Sequence, residues 1–215
     1  RRKGSFNAIF RKFNSGEANL LLGTQMISKG FDFPQVSLVG VVSADTALEL
    51  PDFRARERTF QLLTQVAGRA GRGEIAGTVL MQTLNPEEKV IKFAAKHDYR
   101  AFFDTEISER RDLNFPPFCH LILISLEATS RELASEQAEI LSNRLGSLRR
   151  GAFRVLGPVT APLAKRKQVY RFHLMLKTER VKATLSVLQH ILQAKEFQHN
   201  RRFRVIVDVD AVDML

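Results

Sequence analysis

The chain has 215 residues, 44% of them hydrophobic and 26% charged, a globular composition that argues against a disordered segment. It contains no run of about 18 apolar residues, so no transmembrane helix is predicted, and its single cysteine, Cys119, excludes an intrachain disulfide and argues against a cysteine-built zinc site. The formal charge of +10 is uneven, since residues 1–150 carry a net +3 and residues 151–215 a net +7, and such concentrated positive charge suits either phosphate backbones or a surface kept basic for solubility.

The length allows one or two domains. Arg1-Arg2-Lys3-Gly4 leads into no apolar signal segment, and a cytoplasmic protein is the simplest expectation. Because the first residue is Arg rather than Met, a piece of a longer protein is expected. Leu20-Leu21-Leu22 and Val36 to Val42 are short apolar runs of the kind buried on both faces of a parallel sheet. Phe53 to Leu63 has helical character, with apolar residues at 53, 60 and 63. Gly77 to Leu84 is the next strand-like run, so strand and helix alternate as in an α/β layer structure. Asn85-Pro86-Glu87-Glu88 reads as a helix start, with a cap, a proline that loses no needed donor and acids suited to the dipole. One or two helices are predicted from 86 to about 112, ended by Asn114-Phe115-Pro116-Pro117-Phe118. This places a domain boundary there, with 1–112 and 113–215 as the two domains.

The remainder has a regular order. His120 to Ala128 is strand-like, and Thr129 with Glu132 fits a capping box before a helix running to about Arg149. Phe153 to Leu163 is strand-like but interrupted by Pro158 and Pro162, and Tyr170 to Lys177 alternates apolar and polar. Val181 to Lys195 carries Val181, Leu185, Leu188, Ile191 and Leu192 at helix spacing, and Phe203 to Val209 alternates again. The predicted order is β-α-β-β-α-β, the ferredoxin-like arrangement.

Two motifs carry chemistry. In Gln65-Val66-Ala67-Gly68-Arg69-Ala70-Gly71-Arg72-Gly73, two arginines three apart are surrounded by small residues that let a phosphate approach the backbone. The arginine fork holds phosphate oxygens bidentately, and an arginine on a γ-phosphate stabilises charge in phosphoryl transfer. The alternative is a glycine-rich basic turn. The second motif, Gly23-Thr24-Gln25-Met26-Ile27-Ser28-Lys29-Gly30-Phe31-Asp32-Phe33-Pro34, follows the Leu20–Leu22 run. Asp32 suits ribose hydroxyls and Thr24 suits a nucleic-acid phosphate, while the alternative is a structural loop. His97, His120, His173, His190 and His199 lack metal-ligand spacing, Asp208, Asp210 and Asp213 read as solvated acids, and Phe102-Phe103 reads as core. No metal site is predicted.

Together the two motifs stand in the order and spacing of motifs V and VI of superfamily 2 helicases. The chain resembles the C-terminal part of the PriA, or primosomal protein N′, family of bacterial replication-restart DNA helicases. The resemblance is carried by residues 22–34 and 63–72, and by Pro51-Asp52-Phe53-Arg54-Ala55-Arg56-Glu57-Arg58 between them. It continues through Arg111 to Phe118, Leu156-Gly157-Pro158, Tyr170-Arg171-Phe172 and Val207-Asp208-Val209-Asp210. Ala211 departs from the proline expected there. The resemblance implies a partial RecA-like helicase lobe 2 followed by a small α+β, ribosomal-protein-like domain. It implies that Gln65, Arg69 and Arg72 meet ATP, with Arg72 as arginine finger, and that Gly30 and Asp32 lie near the nucleotide sugar. It implies that Thr24, Gln25 and Lys29 face single-stranded DNA. In the basic last third, Lys165, Arg166, Lys167, Tyr170 and Arg171 are the expected DNA contacts, with a solvated basic turn as the alternative, and Tyr170 is placed to stack on a base.

The sequence lacks the Gly-x-x-x-x-Gly-Lys-[Ser/Thr] loop that holds nucleotide phosphates and Mg²⁺. ATP and Mg²⁺ are therefore expected in a site completed outside these residues, and the chain alone is not expected to hydrolyse ATP. Zinc is expected in the complete protein and not in this segment. The implied partners are forked or single-stranded DNA, primosome proteins and single-strand-binding proteins, for a monomer without membrane contact, located at replication forks in the cytoplasm. The competing reading is a nucleic-acid-binding module without catalysis.

Overall fold

The computed structural model describes residues 5–24, 36–68, 77–148, 153–166, 168–212 and 214. The chain divides into two compact units, one made of 1–49 with 54–103, the other of 50–53 with 104–215.

In the first unit, helix α1 (Ser5–Asn14) was not anticipated as an element, although Ile9, Phe10 and Phe13 stand at helix spacing, and Phe10 is buried. Strands β1 (Leu38–Val41) and β2 (Thr78–Met81) pair in parallel, from Leu38 opposite Thr78 to Val41 opposite Met81. The parallel pairing requires a crossover, which helix α2 (Ala55–Ala67) provides. Helix α3 (Lys89–Ala95) follows, and helix α4 (Tyr99–Asp112) begins after His97, whose φ of 54° breaks the helical run. The core of this unit gathers Ala44, Phe60, Leu63, Val90, Ile91, Ala94 and Phe102, with the Phe60 and Phe102 rings stacked at 4.3 Å. Asp45 fastens the segment after β1 to the end of β2: its carboxylate accepts from Thr83 Oγ1 at 2.7 Å and Leu84 N at 2.8 Å. Those bonds lower its pKa.

Three expectations change here. Leu20–Leu22 is not a strand: it joins no strand pairing among the described residues, where β1 pairs only with β2, and Leu20 and Leu22 are exposed. Asn85–Glu88 is a turn closed by Glu88 N on Asn85 O, and α3 starts at Lys89. Phe53 precedes α2 and packs in the second unit, where its ring stacks on Phe115 at 5.5 Å.

The second unit has the expected β-α-β-β-α-β order: β3 (His120–Ala128), α5 (Arg131–Ser147), β4 (Phe153–Arg166), β5 (Val169–Thr178), α6 (Val181–Leu192) and β6 (Phe203–Val209). The sheet order is β4-β5-β3-β6, all neighbours antiparallel. Alternation sorts β3 and β5 into two faces. Ile122, Ile124, Leu126, Phe172, Leu174 and Leu176 join Ala134, Ala138, Leu141, Leu188 and Ile191 in the main core. Each large apolar side chain buried there stabilises by about 1.5–3 kcal/mol relative to exposure.

On the other face, Leu121 packs with Cys119, Met214, Phe53, Phe115 and Met175. Lys177 lies 3.4 Å from the Phe115 ring centroid and donates to Leu113 O at 2.9 Å, and burial lowers its pKa. Arg110 sits over the Phe53 ring at 5.1 Å and pairs with Glu106 at 2.9 Å. These contacts attach 104–118 to the sheet, so the unit begins nine residues before the expected 112/113 boundary. Ser130, not Thr129, caps α5, accepting from Leu133 N at 3.2 Å. Strand β4 runs through both prolines by shifting register between Leu156 and Val159 and between Thr160 and Lys165. Gly157 is required at the first shift: its φ is +96°, and a Cβ would stand 2.8 Å from His173 O.

Candidate nucleotide and nucleic-acid sites

In the first unit, α2 carries Gln65 into its last turn, where the side chain is exposed. The helix ends at Gly68, whose N–H makes the last helical bond, to Thr64 O at 3.0 Å, before the sequence turns glycine-rich. Thr64 Oγ1 donates to Phe60 O at 2.7 Å, which further ties down the turn holding Gln65. Arg69 and Arg72 come directly after this end and lie outside the described residues. Thr24 is exposed in irregular backbone, and Gln25, Lys29, Gly30 and Asp32 lie outside the described residues.

In the second unit, the β4–β5 hairpin places Lys165 opposite Tyr170, with the ammonium 5.0 Å from the ring centroid. The body of Tyr170 packs against the main core, so core and lysine both occupy the ring. Arg166 is the last residue of β4, and Lys167 lies outside the described residues. Arg171 is turned differently from the expected DNA contact. Its side chain is only 12% exposed and its Nε lies 3.3 Å from Glu127 Oε1. The reason is register: Arg171 on β5 and Arg204 on β6 both stand directly opposite Glu127 on β3. Arg204 meets the other carboxylate oxygen at 2.5 Å, giving an Arg–Glu–Arg ladder across three strands.

Next along β5, His173 stands opposite Ser125, and both are buried. His173 Nε2 and Ser125 Oγ have no hydrogen-bond partner among the described residues. Burial, with help from Arg171 and against the pull of Glu127, lowers the His173 pKa to about 4. Cys119 is buried and donates its S–H to Asn114 O at 3.0 Å; burial raises its pKa. Asp210 is committed locally, accepting from Leu121 N at 3.1 Å and pairing with His120 Nδ1 at 2.8 Å. Among the described residues, no cluster of three His, Cys, Asp or Glu stands ready for a metal.

Arg201 and Arg202 were not among the basic residues expected from the sequence to contact DNA. They are exposed in the turn before β6, where Asn200 Oδ1 accepts from Arg202 N at 2.8 Å and Phe203 N at 3.0 Å. The signal was present as Arg201-Arg202-Phe203-Arg204.

Comparison with known proteins covers both units. Residues 3–74 match the family model for the helicase conserved C-terminal domain. Residues 111–212 match the model for the primosomal protein N C-terminal domain. The chain is 39% identical over 209 residues to replication restart protein PriA of Bacillus subtilis, covering 97% of the chain and 26% of that relative. It is 42% identical over 177 residues to PriA of Synechocystis, covering 82% of the chain and 21% of the relative. It is 37% identical over 214 residues to PriA of Treponema pallidum, covering 100% of the chain and 32% of the relative. The chain thus spans about a quarter of the length of the first relatives it matches. Two domain models, and alignment along essentially the whole sequence, show that the chain belongs to the replication restart protein PriA family and carries a match to the helicase conserved C-terminal domain followed by one to the primosomal protein N C-terminal domain.

Proposed function

We propose that this chain supplies the arginine-bearing side of the ATP site and a DNA-contacting domain to an ATP-dependent 3′→5′ DNA helicase that restarts stalled replication forks and starts primosome assembly. The observation that carries the reading is that α2, the crossover between the parallel strands β1 and β2, ends with Gln65 in its last turn, immediately before the Gly68-to-Arg72 run of the sequence, in a chain that matches a helicase C-terminal domain. The reading extends to a cytoplasmic protein acting at forks beside primosome and single-strand-binding proteins.

The donors present fit one side of a nucleotide. Gln65 offers an amide, Arg69 and Arg72 offer forks for phosphate oxygens, and Asp32 offers a carboxylate for the ribose. No Gly-x-x-x-x-Gly-Lys-[Ser/Thr] run exists here for the phosphates and Mg²⁺. Bound ATP supplies the energy of phosphoryl transfer. This chain's part is to place positive charge at the departing phosphate and to couple that event to DNA through Thr24, Gln25 and Lys29. Zinc has no place among these donors.

The test is unwinding by the full-length protein on a partial duplex bearing either a 3′ or a 5′ single-stranded arm. The expected result is ATP-dependent displacement from the 3′-armed substrate. Equal displacement of both, or displacement without ATP, would refute the reading.

A further inference from the structure

Strand pairing in the C-terminal domain brings together basic groups that the sequence separates. Lys165 on β4, Tyr170 on β5, Ala128 on β3 and Phe203 on β6 are cross-strand partners in one row. One step beyond that row, Thr129 N donates to Arg202 O at 3.0 Å, which fixes the turn before β6 to the same end of the sheet. Asn200 closes the turn through three bonds, accepting from Arg202 N and Phe203 N and donating its own N–H to Phe203 O. Arg201 and Arg202, both exposed, are thereby presented from a hydrogen-bonded turn.

Positive charge predominates at this end, even counting the exposed Glu132 in the first turn of α5. Lys165, Arg201 and Arg202 are exposed and form no ion pair among the described residues. Arg204, half exposed, is one of two arginines sharing the single charge of Glu127. Glu196 pairs with Arg144. With adjacent strands about 4.8 Å apart, the β4 and β6 ends of the row stand about 14 Å from each other. That separation is close to the roughly 12 Å width of a B-DNA major groove.

Resting on the nucleic-acid reading above, we propose that the Arg201–Arg202 turn and Lys165 form one phosphate-binding crest at this end of the sheet. Its ligand is the DNA phosphodiester backbone, gripped at two places without regard to sequence. Tyr170 serves as the apolar support that positions Lys165, because its ring is occupied by that lysine and by the core.

The experiment is a fluorescence anisotropy titration of this 215-residue chain on labelled duplex and single-stranded DNA, across about 50–200 mM salt. The expected result is that R201A/R202A weakens duplex binding at least about tenfold near 0.1 M salt and makes the log–log salt slope shallower by about 1.8. If the single strand is the ligand, the slope change appears there instead, at about 1.4. Arg201→Lys with Arg202→Lys keeps most of the affinity on any sequence, which separates lost charge from a damaged fold. Wild-type binding that K165A weakens and R201A/R202A leaves unchanged would overturn the crest while sparing the DNA reading. No binding of either DNA by the wild-type chain would overturn both.

Discussion

Glu127→Ala is the most informative single perturbation of the C-terminal domain. The Glu127 side chain is 9% exposed and each of its oxygens meets a different arginine. The two pairs are unequal, since Arg171 is 12% exposed and Arg204 is 53% exposed. At 3.3 Å and an effective dielectric of about 20, the Arg171 pair is worth roughly 5 kcal/mol of Coulomb attraction before desolvation. Removing the carboxylate leaves the Arg171 guanidinium in a buried site without it, which costs about 3–5 kcal/mol. Arg204→Ala removes the solvent-screened partner and costs about 1 kcal/mol or less. Urea denaturation of each variant measures these values, and a domain of ordinary stability has about 5–15 kcal/mol in all. The double variant Glu127→Leu with Arg171→Met recovers most of the loss, because an apolar replacement of a buried pair is often neutral or stabilising. Equal losses for Glu127→Ala and Arg204→Ala, or no recovery in the double variant, would refute the ladder as the cause.

Three further outcomes follow from the same unit. His173 titrates near 6.5 when unfolded and about 4 when folded, so between those values only the unfolded chain takes up the proton. Stability is therefore full above about pH 6.5 and falls toward pH 4, by at most about 3 kcal/mol, and His173→Asn flattens that part of the wild-type pH curve measured by thermal melts. Gly157→Ala costs about 2 kcal/mol or more, from its positive φ and from the approach of a Cβ to His173 O, read as a lowered urea midpoint. Ser130→Ala costs about 1 kcal/mol while Thr129→Ala costs little, and the same denaturation assay distinguishes the true cap from its neighbour.

The C-terminal domain was legible because its elements announce themselves by period. Tyr170 to Lys177 and Phe203 to Val209 alternate at two, and Val181 to Leu192 repeats at the helical spacing. The first unit was less legible because an apolar run such as Leu20–Leu22 becomes a strand only if another strand lies beside it. Arg171 shows the same limit for sites. Its charge is visible in the sequence, but its partner Glu127 lies 44 positions away and is found only through strand register. Lys165 and Arg201 show the converse, two basic signals far apart in the chain that a shared sheet end brings into one region. The residues proposed to face the nucleotide rest on motif order alone, glycines for close approach and arginines for the fork, because Arg69, Arg72, Gly30 and Asp32 lie outside the described residues.

The central claim is that Arg72 acts on ATP, and the direct measurement is DNA-stimulated ATP hydrolysis by the full-length protein with Arg72→Ala, alongside DNA affinity. An arginine finger is worth about 10³–10⁵ in turnover, so hydrolysis falls by that order while DNA affinity stays within about threefold of wild type. Near-normal turnover in Arg72→Ala, with DNA binding intact, would contradict the account.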